Sequence, residues 1–240
     1  MTLPQVVLLD EVDSTNAEAR RRAPVVRPLW IAARRQTAAR GREGRRWESP
    51  AGNLAATLLL PRDDPPAALA LLSCHAGLAV AELLEHLAPG AEVRLKWPND
   101  ALLNGAKAAG ILLESFGGRP TQLAIGIGVN LAHSPPAAEA RWRPTSVAAE
   151  TGSAPNPDAA LGVLAERLDR WLRLDAAEGF APVRAAWLAR AARRGQPIEA
   201  RLPGRTLTGR FEDVDTDGAL VLGTADGRRR IAAADIFFPD

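Results

Sequence analysis

Residues 34–53 carry no apolar periodicity, yet apolar runs that read as strands stand on either side of them. Leu29–Ala33 precedes the segment, and Leu54–Leu60, ended by Pro61, follows it. The segment therefore reads as a long loop, and loops of this length inside compact domains are usually functional. Between Arg34 and Trp47 the segment holds six arginines against one glutamate, a local excess of +5.

The remaining chain alternates strand and helix signals. Val6–Leu9 reads as a short buried strand, and Asp13-Ser14-Thr15-Asn16 opens a helix in which Thr15 and Glu18 have capping-box spacing. Leu69, Leu72, Ala76, Val80, Leu83 and Leu87 recur at helical period, with Cys74 and His75 as packing residues between them. Val93–Trp97 is a strand that ends in a turn at Pro98-Asn99-Asp100. Lys107–Ser115 and Gln122–Leu131 form a hairpin through Gly117-Gly118. Thr145–Thr151 is a short helix stopped by Gly152; a longer one carries Leu161 to Leu172, and another runs from Pro182 to about Arg194. After Gly195-Gln196-Pro197 come short alternating strands with turns at Pro203-Gly204, Asp217-Gly218 and Asp226-Gly227, the pattern of a small β-barrel module. The chain therefore reads as α+β: a unit over residues 1–194 and a β module over 195–240.

Composition removes several functions. The net charge is +2, and from Arg193 to Asp240 eight basic residues meet eight acidic ones, so neither the chain nor its tail has the electrostatic footprint of a nucleic-acid binder. A lone cysteine supplies no internal disulfide and no thiolate metal cluster. No apolar run approaches the roughly 18 residues of a membrane span. Met1–Leu9 lacks the basic region of a signal peptide, so the expectation is a soluble cytoplasmic protein.

Of 30 basic residues 28 are arginine; the exceptions are Lys96 and Lys107. An ammonium is a compact charge with three rotatable donors, which a guanidinium fork cannot imitate. Each lysine sits in a segment suited to chemistry. Lys96-Trp97-Pro98-Asn99-Asp100 gathers a cation, an aromatic ring and two short polar groups at one strand end; a plain turn is the alternative reading. Lys107-Ala108-Ala109-Gly110-Ile111-Leu112-Leu113-Glu114 places the second lysine beside small apolar residues, able to neutralise a carboxylate or simply to snorkel. In the loop, Gly41 and Gly44 let the backbone approach a ligand while Arg40, Arg42 and Arg45 offer forks to phosphate or carboxylate; a solvated loop or a nucleic-acid contact remains open. Ile125-Gly126-Ile127-Gly128-Val129-Asn130 clears one strand face for a flat group, or for close helix packing.

In this order, the segments resemble the biotin protein ligases, the biotin–[acetyl-CoA-carboxylase] ligase family. The family's Asp-Ser-Thr-Asn segment, arginine-glycine loop, Lys-Trp-Pro-Asn-Asp, Lys-x-x-Gly-Ile-Leu-x-Glu and Gly-x-Gly-x-Asn strand all have counterparts over residues 13–130. The resemblance implies a class II synthetase-like fold, a mixed or antiparallel sheet flanked by helices with an SH3-like C-terminal barrel. It also implies two steps: biotin and MgATP give biotinyl-5′-AMP, whose biotin passes to a lysine of a biotin carboxyl carrier domain. Carried over by position, Ser14, Thr15, Asn16 and Gln36 would bind the ureido group, and Gly110 would border the biotin. Arg40, Gly41 and Arg42 would form the biotin-ordered loop, with Arg40 near the carboxylate or phosphate and Arg42 retaining the adenylate. Lys107 would bridge biotin's carboxylate and the α-phosphate. Trp47 and Asn130 would face the adenine, Arg45 and Asn99 the phosphates with their Mg²⁺, and Asp100 would take a proton from the acceptor lysine.

Two loop positions depart from the family pattern: Ala39 replaces a glycine, restricting the backbone to negative φ, and Glu43 removes one unit of positive charge. Because Asp13 lies so near the start, no winged-helix DNA-binding domain and no operator binding are expected. The terminal Ile236-Phe237-Phe238-Pro239-Asp240 lacks an arginine for ATP, so the resemblance assigns the module no site residue. Rival readings are a lipoate or octanoate ligase of the related fold and a nucleic-acid module using the arginine loop; a monomer and a homodimer are equally compatible with the sequence.

Overall fold

The computed structural model describes residues 5–137 and 142–239. Strands β1 (Gln5–Val12), β2 (Leu29–Gln36), β3 (Leu54–Arg62), β4 (Val93–Lys96), β5 (Asp100–Leu103), β6 (Ala106–Phe116) and β7 (Thr121–Val129) form one sheet. Their order is β1-β2-β3-β7-β6-β5-β4. β1 and β2 are parallel and the other neighbours antiparallel, so the sheet is mixed, as expected. The helices are α1 (Thr15–Arg22), α2 (Pro66–Leu87), α3 (Val147–Thr151), α4 (Pro157–Glu178) and α5 (Phe180–Arg190).

Side chains alternate across a strand with period two, and here the alternation separates two jobs. Trp30, Ala32, Leu58, Leu60, Leu123, Ile125 and Ile127 point into the main core with α2, α4 and α5. Ile31, Leu59 and Ala124 point the other way, into a small cluster with Ala19 of α1. The helical layer thus covers one face from β2 onward, leaving β1 at the edge. On the other, α1 covers only part: its Thr15 and Asn16 lie across Thr57 and Gly126, and Gly128 lies beyond them under Trp47.

Strands β8 (Pro197–Leu202), β9 (Arg205–Val214), β10 (Leu220–Thr224), β11 (Gly227–Ile231) and β12 (Asp235–Phe237) make a second, antiparallel sheet in the order β11-β10-β9-β8-β12, consistent with an SH3-like module. Trp97 Nε1 donates to Gly218 O at 3.0 Å and Ala192 N to Leu95 O at 2.8 Å, fastening this sheet's surroundings to the Lys-Trp-Pro turn.

Several expectations need correction. β1 is not buried: it lies at the sheet edge with β2 as its one neighbour, and Val6 and Leu8 are 48% and 45% exposed. The capping box does not form. Ser14 is the N-cap without a side-chain cap bond, Glu18 pairs with Arg21 and Arg22, and the Thr15 hydroxyl turns inward to other partners. Trp97 belongs to the turn rather than the strand, and Asp100 begins β5, a strand too short to show periodicity. The last helix stops at Arg190, where Ala191 leaves it to bridge Leu95. By length and composition α2 is apolar enough to cross a membrane, contrary to the sequence reading, but 67% of that window is buried inside the fold, packed on the sheet and on α4 and α5.

Candidate active site

The open sheet face, α1, the arginine-glycine loop and the second sheet enclose a cavity of about 460 Å³. All fourteen residues to which the resemblance gives a role border it: Ser14, Thr15, Asn16, Gln36, Arg40, Gly41, Arg42, Arg45, Trp47, Asn99, Asp100, Lys107, Gly110 and Asn130.

One end is a polar cage inside an apolar sheet. Thr15 and Asn16 are buried at the start of α1. Gln36 Oε1 accepts from Thr15 N at 2.8 Å and from its hydroxyl at 3.1 Å, while Gln36 Nε2 donates to Ser49 Oγ. Thr57 Oγ1 lies 2.7 Å from Asn16 Oδ1 and 2.8 Å from Thr15 Oγ1, and Asn16 Nδ2 donates to Glu114 Oε2 at 2.7 Å. Gly126 makes room for this: a Cβ there would fall on Asn16 Oδ1. The groups can trade these partners for a ligand that offers both donors and an acceptor, whereas a purely aliphatic end has no polar atom to exchange with them.

The floor is cleared by the other glycines. Trp47 lies over Gly110 and Gly128, where a Cβ on Gly128 would come 2.6 Å from Trp47 Nε1. Beside it, Asn130 is buried with Nδ2 donating to Thr145 O, and its Oδ1 has no partner among the described residues. An acceptor desolvated without a donor is costly unless a ligand supplies one.

Both lysines of the chain converge on one carboxylate. Lys107 Nζ is 2.6 Å from Asp100 Oδ1, close but not aligned as a hydrogen bond, and Lys96 Nζ is 3.7 Å from Asp100 Oδ2. Lys96 is 8% exposed, and burial pushes its ammonium below the usual lysine range, with Asp100 pulling the other way. The β4–β5 register, which pairs Lys96 with Asp100, fixes this contact, and Asn99 ties the turn to β6 by Nδ2 to Ile111 O and O from Ile111 N.

The loop is a folded flap. Trp47 N donates to Ala39 O and Gly41 N to Arg45 O, and Arg40 bridges Arg46. Ala39 is buried and takes negative φ, so it fits where a glycine was expected, whereas Glu43 occupies the left-handed region at φ 59° ahead of Gly44 at 71°. Arg45 Nη2 reaches Asp235 Oδ1 at 2.7 Å and Arg42 Nη1 reaches Ala234 O at 3.3 Å. The C-terminal module therefore does contribute to the site: Asp235, Ile236 and Phe237 border the cavity, contrary to the sequence expectation.

Sequence reasoning missed Thr57 and Asp235, and named Lys96 and Glu114 without giving either a role. Thr57 left a signal, being the one polar side chain in Leu54–Leu60. Asp235 left none, because its importance comes from a tertiary contact with a residue 190 positions away.

Residues 8–130 match the biotin/lipoate A/B protein ligase family and residues 195–238 match the biotin protein ligase C-terminal domain. The chain is 48% identical over 238 residues to a biotin–[acetyl-CoA-carboxylase] ligase of Paracoccus denitrificans, covering 96% of this chain and 99% of that one. It is 32% identical over 212 residues to the bifunctional ligase/repressor BirA of Bacillus subtilis, covering 86% of this chain and 65% of that protein. The biotin protein ligase of Aquifex aeolicus in complex with biotin and ATP superposes with a TM-score of 0.87 at 26% identity, over 98% of this chain and 99% of that one. The Leishmania major biotin protein ligase in complex with biotinyl-5-AMP gives a TM-score of 0.71 at 26% identity, over 97% and 100%.

Proposed function

The chain belongs to the biotin/lipoate A/B protein ligase family, and on that premise we infer that it activates biotin with ATP and passes it to a carrier lysine. One observation carries the reading: the polar cage, the flap arginines and both lysines open on the same cavity. The cage also selects within the family. A cyclic urea presents one carbonyl and two N–H groups, which match Ser14, Thr15, Asn16 and Gln36; the hydrocarbon tail of lipoate or octanoate offers them no polar atom in exchange.

In the first step a carboxylate oxygen of biotin bonds to the α-phosphorus of ATP, the bond from that phosphorus to the bridging oxygen breaks, and pyrophosphate leaves. Both reactants are anions, so the protein's task is to hold them together against repulsion. Lys107 is assigned the bridge between the carboxylate and the α-phosphate, with Arg40 beside them. Trp47 offers a face to the adenine and Asn130 Oδ1 accepts from its amino group. Arg45 and Asn99 face the phosphates. In the second step the carrier's amine attacks the acyl carbon, AMP leaves, and Asp100 takes the proton the amine gives up.

Among the described residues no group of three His, Cys, Asp or Glu could hold a metal. A divalent ion therefore fits this site as MgATP, held by the phosphates, with Asn99 assigned to face it through Oδ1, since Nδ2 is spent on Ile111. Bound there it would neutralise phosphate charge. We take residues 1–194 as the ligase unit and 195–240 as a module that closes the flap, with the cytoplasm, where ATP and carrier meet, as the compartment.

Incubation with biotin, MgATP and a biotin carboxyl carrier domain, followed by streptavidin blotting, should give carrier labelling that requires both small molecules. Labelling with lipoate instead, or none, would reject the reading. Arg42→Gly removes the guanidinium that seals the flap against Ala234 O. That variant should release biotinyl-5′-AMP and label bystander lysines roughly tenfold more than the parent, a loss of about 1.4 kcal/mol of retention; unchanged selectivity would remove Arg42 from this role.

A further inference from the structure

The mechanism above asks Lys107 to serve substrate anions, yet in the free protein its ammonium sits 2.6 Å from Asp100 Oδ1. Asp100 has a side chain only 12% exposed, so water cannot replace the lysine when it leaves. A buried carboxylate stripped of its counter-ion is expensive, and Asp100 would hold Lys107 back. The other oxygen of Asp100 faces Lys96, 3.7 Å away. Lys96 has little else to do: its Nζ lies 4.9 Å from the centroid of the Trp142 ring, its side chain is 9% exposed, and Asp235 is the other carboxylate acting on it. In a chain that uses arginine at 28 of 30 basic positions, both exceptions meet at this carboxylate.

We propose that Lys96 is a positioning residue that takes over the charge of Asp100 and so frees Lys107 for the substrate anions. The assignment rests on the adenylation role of Lys107. It predicts an effect on the first half-reaction that passes entirely through Asp100, unlike a direct contact between Lys96 and phosphate.

The test measures biotin-dependent pyrophosphate release, without carrier, in the parent, Lys96→Met, Asp100→Asn and the double variant. Lys96→Met keeps the apolar stem against Trp142 and should lower kcat roughly 50-fold, with the KM for biotin within about threefold, because the cage is untouched. In the Asp100→Asn background the carboxylate no longer restrains Lys107, so adding Lys96→Met should change kcat by less than about threefold. A loss of about 50-fold in both backgrounds would overturn the proposal in favour of direct phosphate contact. No loss in the Lys96→Met single variant would overturn it as well. If that single variant does not fold, Asp100→Asn and the double variant still decide, since the proposal requires near-equal rates and a phosphate contact requires unequal ones. A parent protein that releases no pyrophosphate on addition of biotin would instead reject the ligase reading itself.

Discussion

Lys107→Ala should lower biotin-dependent pyrophosphate release by about a thousandfold while the protein stays folded. The size follows from what the ammonium does. It is the cation assigned to both reacting anions, and the second lysine, Lys96, is buried against Trp142 beside Asp100. Folding survives because the charge left behind is not orphaned: Asp100 keeps Lys96 at 3.7 Å, and β6 keeps its backbone pairing with β5 and β7. The transition temperature should therefore move little as the rate collapses. Near-parental pyrophosphate release in this variant would remove Lys107 from the chemistry, and a collapse of both fold and rate would make its role structural.

Gly126→Ala should raise the KM for biotin roughly 100-fold with a much smaller change in the KM for ATP. The added Cβ falls on Asn16 Oδ1, and Asn16 has no freedom to retreat. Its Nδ2 is tied to Glu114 Oε2 at 2.7 Å and its Oδ1 to the Thr57 hydroxyl, which β3 fixes opposite Gly126 in the sheet register. The damage is thus confined to the cage. Gly118→Ala is the matched control, since no atom lies within 4 Å of the Cβ it would add and the turn is remote from the cavity. Equal rises in both Michaelis constants would show that the cage is not a separate biotin subsite.

Much of this site was legible because its residues sit in short, dense segments where chemistry and local geometry coincide. Asp100 follows Lys96 across one turn, and β6 brings Lys107 alongside by sheet register, so a linear motif already held the juxtaposition. The glycines at 110, 126 and 128 were readable as a cleared face, although which side chains filled the clearing, Trp47 and Asn16, was not. What escaped depends on pairings between distant elements. Thr57 stands out as the one polar side chain of its apolar run, but its role appears only when α1 lays Thr15 and Asn16 across it. Asp235 acquires meaning only when the second sheet docks against the flap. β1 read as buried because its composition is apolar, yet strand order placed it at an edge, and no local pattern encodes that order. α2 failed in the opposite sense: its small and apolar residues, sandwiched between sheet and helices, match the composition of a membrane span.

One cavity joins the polar cage to the cationic centre, so both halves of an adenylate should be held there at once. Mixing the purified protein with biotin and MgATP in the absence of carrier, desalting, and analysing the retained small molecules by mass spectrometry tests it directly. Biotinyl-5′-AMP should be recovered in near-stoichiometric amount and should transfer to a carrier domain added afterwards without more ATP. Recovery of biotin and ATP unreacted, or of no bound nucleotide, would contradict it.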